Sequence, residues 1–543
     1  MNTKGSGLRA QGWWFALVLG LAPIALASQS APGVESRVDA VFARWTSSTP
    51  GCAVGVAAGG KPVLEKGYGM ADLEHDVRLS PDAILEPGSV TKQFTAAAVL
   101  LLARDGKLSL DDQVRTYIPE LPDYHQPLTI RHMLNHTSGL RDWGSVAGIA
   151  GWPRTTRVHS HAHVLEIVSR QKALNFTPGT HWSYSNTGFN LAAIIVQRVS
   201  GMPFPEFTRT RLFQPLGLTH TSWRDDYTRI VKGRALAYAE RDGAFHTDMP
   251  FENVYGNGGL LTTVGDLLTW NEHYDSPAAA DAAMLAEQQR AGRFNDGRAH
   301  GYGLGLYLGT YKGLREISHS GSTAGYSAFL TRFPDQRVSV AVLCNAAGAP
   351  ATQYAHAVAD LYLGDRVKAV EPKATYVLTD AEADRVTGMW VSDMNGVAAT
   401  IRRSKDGLIQ GRFPLFAQSA MRFLTPDGEE LQLDARGMRH TDLYGSVEEL
   451  ARVQPATYTD EQLAALAGTY VSDEAETTLT AVVENHALVL KRRPDVTITL
   501  TPTYANAFTA DHGLGTVIFD RDGLRVVQDR VWNLRFPRTP ATN

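Results

Sequence analysis

Residues 85–102 read Leu85-Glu86-Pro87-Gly88-Ser89-Val90-Thr91-Lys92-Gln93-Phe94-Thr95-Ala96-Ala97-Ala98-Val99-Leu100-Leu101-Leu102. The run after Lys92 is apolar nearly all round, which predicts a buried helix. Ser89 and Lys92 stand three residues apart and share a face, so the amine reaches the hydroxyl. A serine hydroxyl is a poor nucleophile until a neighbour takes its proton, and a partly buried lysine can do so. Gly88 permits an unusual backbone just before the helix. Backbone N–H groups and the helix dipole favour negative charge at that N-terminus. The stretch therefore points to acyl transfer at a Ser-Lys centre, with Ser89 as a simple N-cap the alternative. The same spacing at Ser169-Arg170-Gln171-Lys172 ends an amphipathic run and reads as solvated helix surface.

The 543 residues are too many for one core, and about three domains are expected. A net charge of -4 comes with no basic stripe, so neither a nucleic-acid partner nor an anionic-membrane partner is expected. The N-terminus carries Lys4 and Arg9, an apolar run from Trp13 to Ala22, and the small-residue signal Ala25-Leu26-Ala27. Residues 1–27 thus read as a signal peptide and the mature protein as exported to the periplasm or beyond, without stable membrane insertion. Cys52 and Cys344 are the only cysteines, each at the end of an apolar strand-like run; two buried thiols are the favoured reading, and export makes one disulfide chemically possible.

Three blocks follow. Residues 32–365 run from strand signals (Ala53 to Ala58, Lys61 to Tyr68) through helical stretches back to strand signals (Glu316 to His319, Tyr326 to Phe333, Arg337 to Leu343), which suggests an antiparallel sheet flanked by helices. Residues 366–377 look like a linker. The tail repeats itself: Thr379-Asp380 leads to Gly388-Met389-Trp390-Val391-Ser392-Asp393, and Thr459-Asp460 leads to Gly468-Thr469-Tyr470-Val471-Ser472-Asp473. Alternating apolar runs broken by Asp-Gly turns predict two small antiparallel β-barrels, at 378–455 and 458–540. Neither has a clustered nucleophile and base, so both read as accessory.

A Ser-Lys centre needs a second proton-handling group, an oxyanion hole and a rail for substrate. Tyr184-Ser185-Asn186 follows a Pro-Gly loop. Tyr184 beside a lysine ammonium would have its phenolate favoured and could serve as general base for Ser89 or return a proton to the leaving group. Asn186 offers an amide that can accept from Lys92 and donate to a carbonyl. In His319-Ser320-Gly321-Ser322, Gly321 removes a side chain where substrate backbone could lie. The amides of Ser89 and Ser322 could form the oxyanion hole, and His319 could orient Tyr184 or, if charged, favour its phenolate. His159, His161 and His163 alternate and would share one face of a strand. No cysteine or aspartate completes a zinc set, and Ser160 can instead cap a helix, so neither a metal nor another cofactor is expected.

Taken together, Ser89-x-x-Lys92, Tyr184-Ser185-Asn186 and His319-Ser320-Gly321 resemble the S-x-x-K, Y-x-N and K/H-x-G elements of the serine β-lactamase and penicillin-binding-protein superfamily. The class C-like, peptidase S12 branch is the nearest in pattern. His136-Thr137-Ser138-Gly139-Leu140, Phe176-Thr177-Pro178-Gly179 and Gly258-Gly259-Leu260 are similar as well. The resemblance implies an α+β catalytic domain, an antiparallel sheet flanked by helices plus an all-helical subdomain, with the site in the cleft between them. It makes the first and last strands neighbours, so that Cys52 and Cys344 could approach. It implies a serine hydrolase working through an acyl-enzyme on a small amide or ester such as a D-amino-acid peptide or peptidoglycan fragment. The alternative is a penicillin-binding or sensor module that acylates with little turnover. A catalytic domain followed by two barrels is similar to the layout of bacterial D-aminopeptidase. In that family a loop of the last barrel meets the substrate amine. The corresponding Phe508 to Val517 is short here, with Asp511 its candidate charge. His319, standing where β-lactamases carry lysine, makes β-lactamase activity less expected.

Overall fold

A computed structural model describes residues 33–153, 157–368 and 373–540. The signal segment with its cleavage site lies outside the described residues, as do residues 369–372 of the linker. No helix among the described residues is long and apolar enough to cross a membrane.

Six antiparallel strands form the central sheet: β1 (Cys52–Ala58), β2 (Lys61–Tyr68), β3 (Tyr307–Tyr311), β4 (Leu314–Thr323), β5 (Tyr326–Phe333) and β6 (Val338–Cys344), in the order β3-β4-β5-β6-β1-β2. Five helices matter most for the site: α1 (Val34–Val41), α2 (Lys92–Arg104), α3 (Asn186–Ser200), α4 (Val264–Asp275) and α5 (Ala351–Leu363). The alternation in β1 explains the layering. Cys52, Val54 and Val56 join Val38, Phe42, Tyr354 and Val358 in one core beneath α1 and α5. Ala53, Gly55 and Ala57 face the other way, and α4 closes on them. A Cβ on Gly55 would meet Leu268 Cδ1 at 3.0 Å and Val264 Cβ at 3.1 Å, so the small residue sets the approach of α4.

First and last strands pair as the resemblance implies, Cys52 opposite Cys344 and Ala58 opposite Val338. The cysteines are disulfide-bonded, with a Cα–Cα separation of 4.0 Å. This corrects the reading of two separate thiols. The pairing is set by register between strands that are far apart in sequence, which local pattern cannot reveal.

Helices between the second and third sheet strands build the all-helical part, and α2 runs buried, packed on α3. Past it, strands from Gly388–Ser392 to Val447–Val453 close an eight-stranded barrel, and strands from Gly468–Ser472 to Val531–Pro537 form an eight-stranded sheet. An antiparallel bridge from Tyr470 to Arg538 nearly closes the second into a barrel. The repeat has a structural meaning. Thr379 and Thr459 each open a short helix with a capping box, through Glu382 and Gln462. Trp390 Nε1 then donates to the Val386 carbonyl at 2.8 Å, and Tyr470 OH to the Leu466 carbonyl at 2.7 Å. In each copy the strand's aromatic locks the end of its own entry helix.

Candidate active site

Ser89 lies on a single 3-10 turn, Gly88–Thr91, that leads directly into α2. Gly88 has φ +51, a conformation that favours glycine. Lys92 is fully buried one turn on, its Nζ 3.1 Å from Ser89 Oγ. That amine also donates to Asn186 Oδ1 at 2.8 Å and to the Asn257 carbonyl at 2.7 Å. Both of those oxygens can only accept. Two hydrogens of the amine are thereby committed, and the position left over faces Ser89 Oγ.

Asn186 opens α3, and its backbone N–H donates to Asp142 Oδ2 at 2.8 Å. With Oδ1 turned to Lys92, its NH2 is left for the cleft. Asn257 sits between Gly256 and Gly258, and Gly259 N donates to Glu86 Oε1 at 3.1 Å. Glu86 is buried and held by Arg224, Nε to Oε2 at 2.9 Å. The residue three before the serine therefore anchors the loop whose carbonyl holds the lysine.

Tyr184 lines the same cleft as Ser89, and the Lys92 amine stands 4.8 Å from its ring centroid. Burial holds the phenol well above its ordinary range, outweighing the opposing pull of Ser89 and of Arg530. Tyr184 is thus a neutral phenol near neutral pH. This corrects the expectation of a favoured phenolate: the low-dielectric surroundings dominate the nearby cations.

His319 is buried and pushed down to about 3 by burial and by Lys92, so it is neutral. Its Nδ1 stands 2.6 Å from the Ser320 carbonyl and its Nε2 2.8 Å from Tyr302 OH. A carbonyl only accepts, so Nδ1 carries the hydrogen and Nε2 accepts from the Tyr302 hydroxyl. The ring therefore orients Tyr302 and not, as expected, Tyr184, whose ring centroid lies 6.4 Å away. It is His136, 4.3 Å from Tyr184 between centroids, that packs on that phenol and accepts from Ser185 N at 3.2 Å.

Gly321 lies where β4 crosses the serine turn. A Cβ there would stand 1.9 Å from the Pro87 carbonyl oxygen and 2.7 Å from Ser89 N, and one on Gly88 would stand 2.5 Å from Ser322 N. The two glycines press the Ser89 and Ser322 amides together at the mouth of a cleft of about 700 Å³.

The barrels are not merely accessory. Tyr444, from a hairpin of the first barrel, stacks on Trp182 at 3.7 Å, and the Asp529-Arg530 hairpin tip of the second reaches the same cleft. The Arg530 guanidinium lies 4.6 Å from the Tyr184 ring centroid. Asp142 N and Asn175 Nδ2 both donate to the Arg530 carbonyl at 3.2 Å, and buried Arg141 donates to the Trp532 and Asn533 carbonyls and to Glu474. Asp511 is not in the cleft; its Oδ1 accepts from Thr499 N at 3.0 Å on the barrel's exposed side.

The remaining motifs are structural. Ser160 N-caps the helix His161–Ser169. His161 pairs with the Tyr255 backbone and His163 with Ser160, and among the described residues the histidines do not converge on a metal position. Lys172 is exposed and pairs with Asp473. Asn257, Glu86, Tyr302, Tyr444 and Arg530 went unread in the sequence. The Gly256-Asn257-Gly258-Gly259 run was the one local hint, since a polar residue inside a glycine run marks a tight loop.

The β-lactamase family matches residues 37–363. The chain is 26% identical over 456 residues to a D-aminopeptidase of Brucella anthropi, covering 81% of this chain and 82% of that one. It is 29% identical over 305 residues to a penicillin-binding protein of Bacillus subtilis, covering 53% and 66%. Among solved structures, the octameric penicillin-binding protein homologue from Pyrococcus abyssi superposes with a TM-score of 0.55 at 21% identity, covering 86% of this chain and 98% of that one.

Proposed function

The chain belongs to the β-lactamase family, and from that premise we propose that it is a serine hydrolase that forms an acyl-enzyme on Ser89. The observation that carries this reading is the lysine amine with two hydrogens committed to Asn186 and Asn257 and its remaining position on Ser89 Oγ. In the first half-reaction, which starts from the unprotonated Lys92 amine, Ser89 Oγ bonds to the substrate carbonyl carbon and its proton passes to Lys92 Nζ. The Ser89 and Ser322 amides take the developing oxyanion. The bond to the leaving nitrogen or oxygen then breaks. Tyr184 gives its hydroxyl proton to the departing atom and regains one from Lys92. Water repeats the sequence in reverse and restores the Ser89 hydroxyl. Asn186 holds the acyl chain through its NH2, and the neutral His319–Tyr302 pair fixes the wall behind it.

Substrates are small amides or esters, with D-amino-acid peptides favoured by the similarity to a D-aminopeptidase over 81% of this chain. The domain limits at 32–365, 378–455 and 458–540 and export through residues 1–27 are part of the same proposal. The Cys52–Cys344 bond suits an oxidising compartment.

The test is steady-state hydrolysis of a chromogenic short-chain ester and of D-alanyl p-nitroanilide. Ser89→Ala is expected to lose at least about a thousandfold in kcat/KM. A single stoichiometric burst without turnover would favour a penicillin-binding or sensor role. Unchanged rates in Ser89→Ala would refute both.

A further inference from the structure

Resting on the acyl-enzyme reading, we propose that His136 is a positioning residue of this active site. It holds the chain on both sides of Tyr184 and braces the ring between, and so fixes the line along which the phenol delivers its proton to the leaving group. Three observations carry it.

The first is the double hold. The Ser183 backbone N–H donates to the His136 carbonyl at 3.0 Å, and the Ser185 backbone N–H donates to His136 Nδ1 at 3.2 Å. Both chain neighbours of Tyr184 are thus tied to a single residue. His136 has φ +63, a left-handed conformation that is uncommon outside glycine and that Asn, Asp and His adopt more readily than other residues. In that conformation its carbonyl and its ring serve the same segment. The anchors further along, Asn186 N to Asp142 and Trp143 N to Thr187, act beyond the tyrosine.

The second is the brace. The His136 ring centroid lies 4.3 Å from that of Tyr184. Tyr302, Phe189 and Trp182 back the imidazole at 4.8, 5.3 and 5.6 Å. With the flanking backbone tied and a buried ring packed against it, the phenol has little freedom to swing, and proton transfer depends on that aim.

The third is the nitrogen left over. A backbone N–H only donates, so Nδ1 accepts and the hydrogen of the neutral ring sits on Nε2. Nε2 is buried with no hydrogen-bond partner among the described residues. A carbon side chain would fill this aromatic shell without that loss, so packing does not account for an imidazole here. The Nδ1 acceptor does. Burial, with the neighbouring Lys92, His319, Arg530 and His300, holds the ring well below its ordinary range, and Nδ1 keeps its lone pair for Ser185 N.

The test compares ethyl butyrate with p-nitrophenyl butyrate. The acyl group is the same, but ethoxide must be protonated as it leaves and p-nitrophenolate need not be. Each kcat/KM reports acylation. His136→Leu keeps apolar bulk and loses the acceptor. His136→Asn keeps an oxygen near the Nδ1 position and suits the left-handed backbone. His136→Leu should lower kcat/KM on the ethyl ester by about a hundredfold, the cost of a misplacement near 1 Å. That loss should be at least about tenfold greater than the loss on the p-nitrophenyl ester. His136→Asn should fall between His136→Leu and wild type, although its side chain is small and polar. Tyr184→Phe should show the same selectivity for the ethyl ester, and adding His136→Leu to it should lower the rate by less than about threefold more. Circular dichroism and thermal melting check the fold, and His136→Asn in the same cycle with Tyr184→Phe answers the question if His136→Leu does not fold. Equal losses on the two esters, losses that multiply in the double variant, or a leucine variant more active than the asparagine one would overturn the inference and leave the hydrolase reading intact. A Tyr184→Phe enzyme with no selective loss removes the phenol's role and this inference with it. Ester turnover that survives Ser89→Ala, or no turnover in wild type, overturns both.

Discussion

Gly321→Ala tests the architecture of the cleft with a single methyl. The added carbon would lie 1.9 Å from the Pro87 carbonyl oxygen and 2.7 Å from Ser89 N, both rigid backbone atoms. Ordinary carbon–oxygen contact needs about 3.2 Å, so β4 and the serine turn must part by roughly 1.3 Å. A displacement near 1 Å in a reacting constellation costs about a hundredfold in rate. Overpacking a tight interior adds about 1–3 kcal/mol of destabilisation. We therefore expect Gly321→Ala to remain folded with a lowered melting temperature and to lose about a hundredfold in kcat/KM on a chromogenic ester. The loss should fall mainly in kcat, because the oxyanion amides move apart. Gly148→Ala is the control: it sits in the helix Trp143–Ile149 with nothing within 4 Å of the new carbon. Alanine is the better helix former there, so stability should rise by up to about 1 kcal/mol and the rate should hold. A Gly321→Ala enzyme within about threefold of wild type would refute the close crossing of the two segments and the oxyanion hole built on it.

Other expectations follow from the same geometry. Arg141→Leu removes a guanidinium 2.6 Å from Glu474, with side chains only 2% and 8% exposed, and leaves that carboxylate buried and unpaired. A loss of about 3–5 kcal/mol at this domain junction should appear in urea unfolding, and limited proteolysis should release the last barrel first. His319 is held down to about 3, His161 and His300 to about 4, and His136 well below its usual value, all chiefly by burial. The unfolded chain then binds more protons between these values and about 6.5, so this stability is complete above about pH 6.5 and is lost as pH falls. His440 works oppositely. Glu429 and Glu448 carry it up to about 10 despite burial, so its contribution is complete below about pH 6.5 and fades towards pH 10. Melting temperatures between pH 4.5 and 9 should pass through a maximum, and equal values at pH 5 and 7 would contradict the buried-histidine argument. Replacing both cysteines with alanine, or reducing their bond, opens a sequence separation of 292 residues. Loop entropy sets an upper limit of about 6 kcal/mol on the loss, readable by chemical denaturation.

Much of the fold was legible because its signals are local. The apolar run after Lys92, the alternation in Cys52–Ala58 and the Thr-Asp entry to each barrel are each complete within about ten residues. Ser89, Lys92, Tyr184, Asn186, His319, Gly321 and Ser322 meet at one cleft because three short stretches carry their own turn chemistry. What was not legible depends on distance or on dielectric. The Asp529-Arg530 pair reads as an ordinary surface turn, and nothing near it says that it faces a serine in another domain. Tyr184 and its lysine are visible in sequence, but the burial that keeps the phenol protonated is not. The disulfide follows from the register of two strands, which no local pattern expresses.

The hairpin carrying Arg530 also bears on the order in which the molecule is made. Translation produces the nucleophile early and the tip that overlooks it near the end of the second barrel. Until then, the cleft beside Ser89 lacks the wall that this hairpin supplies. This wall of the cleft arrives with one of the last strands, so a chain cut short before Val531 would keep its nucleophile and leave that side of the cleft open.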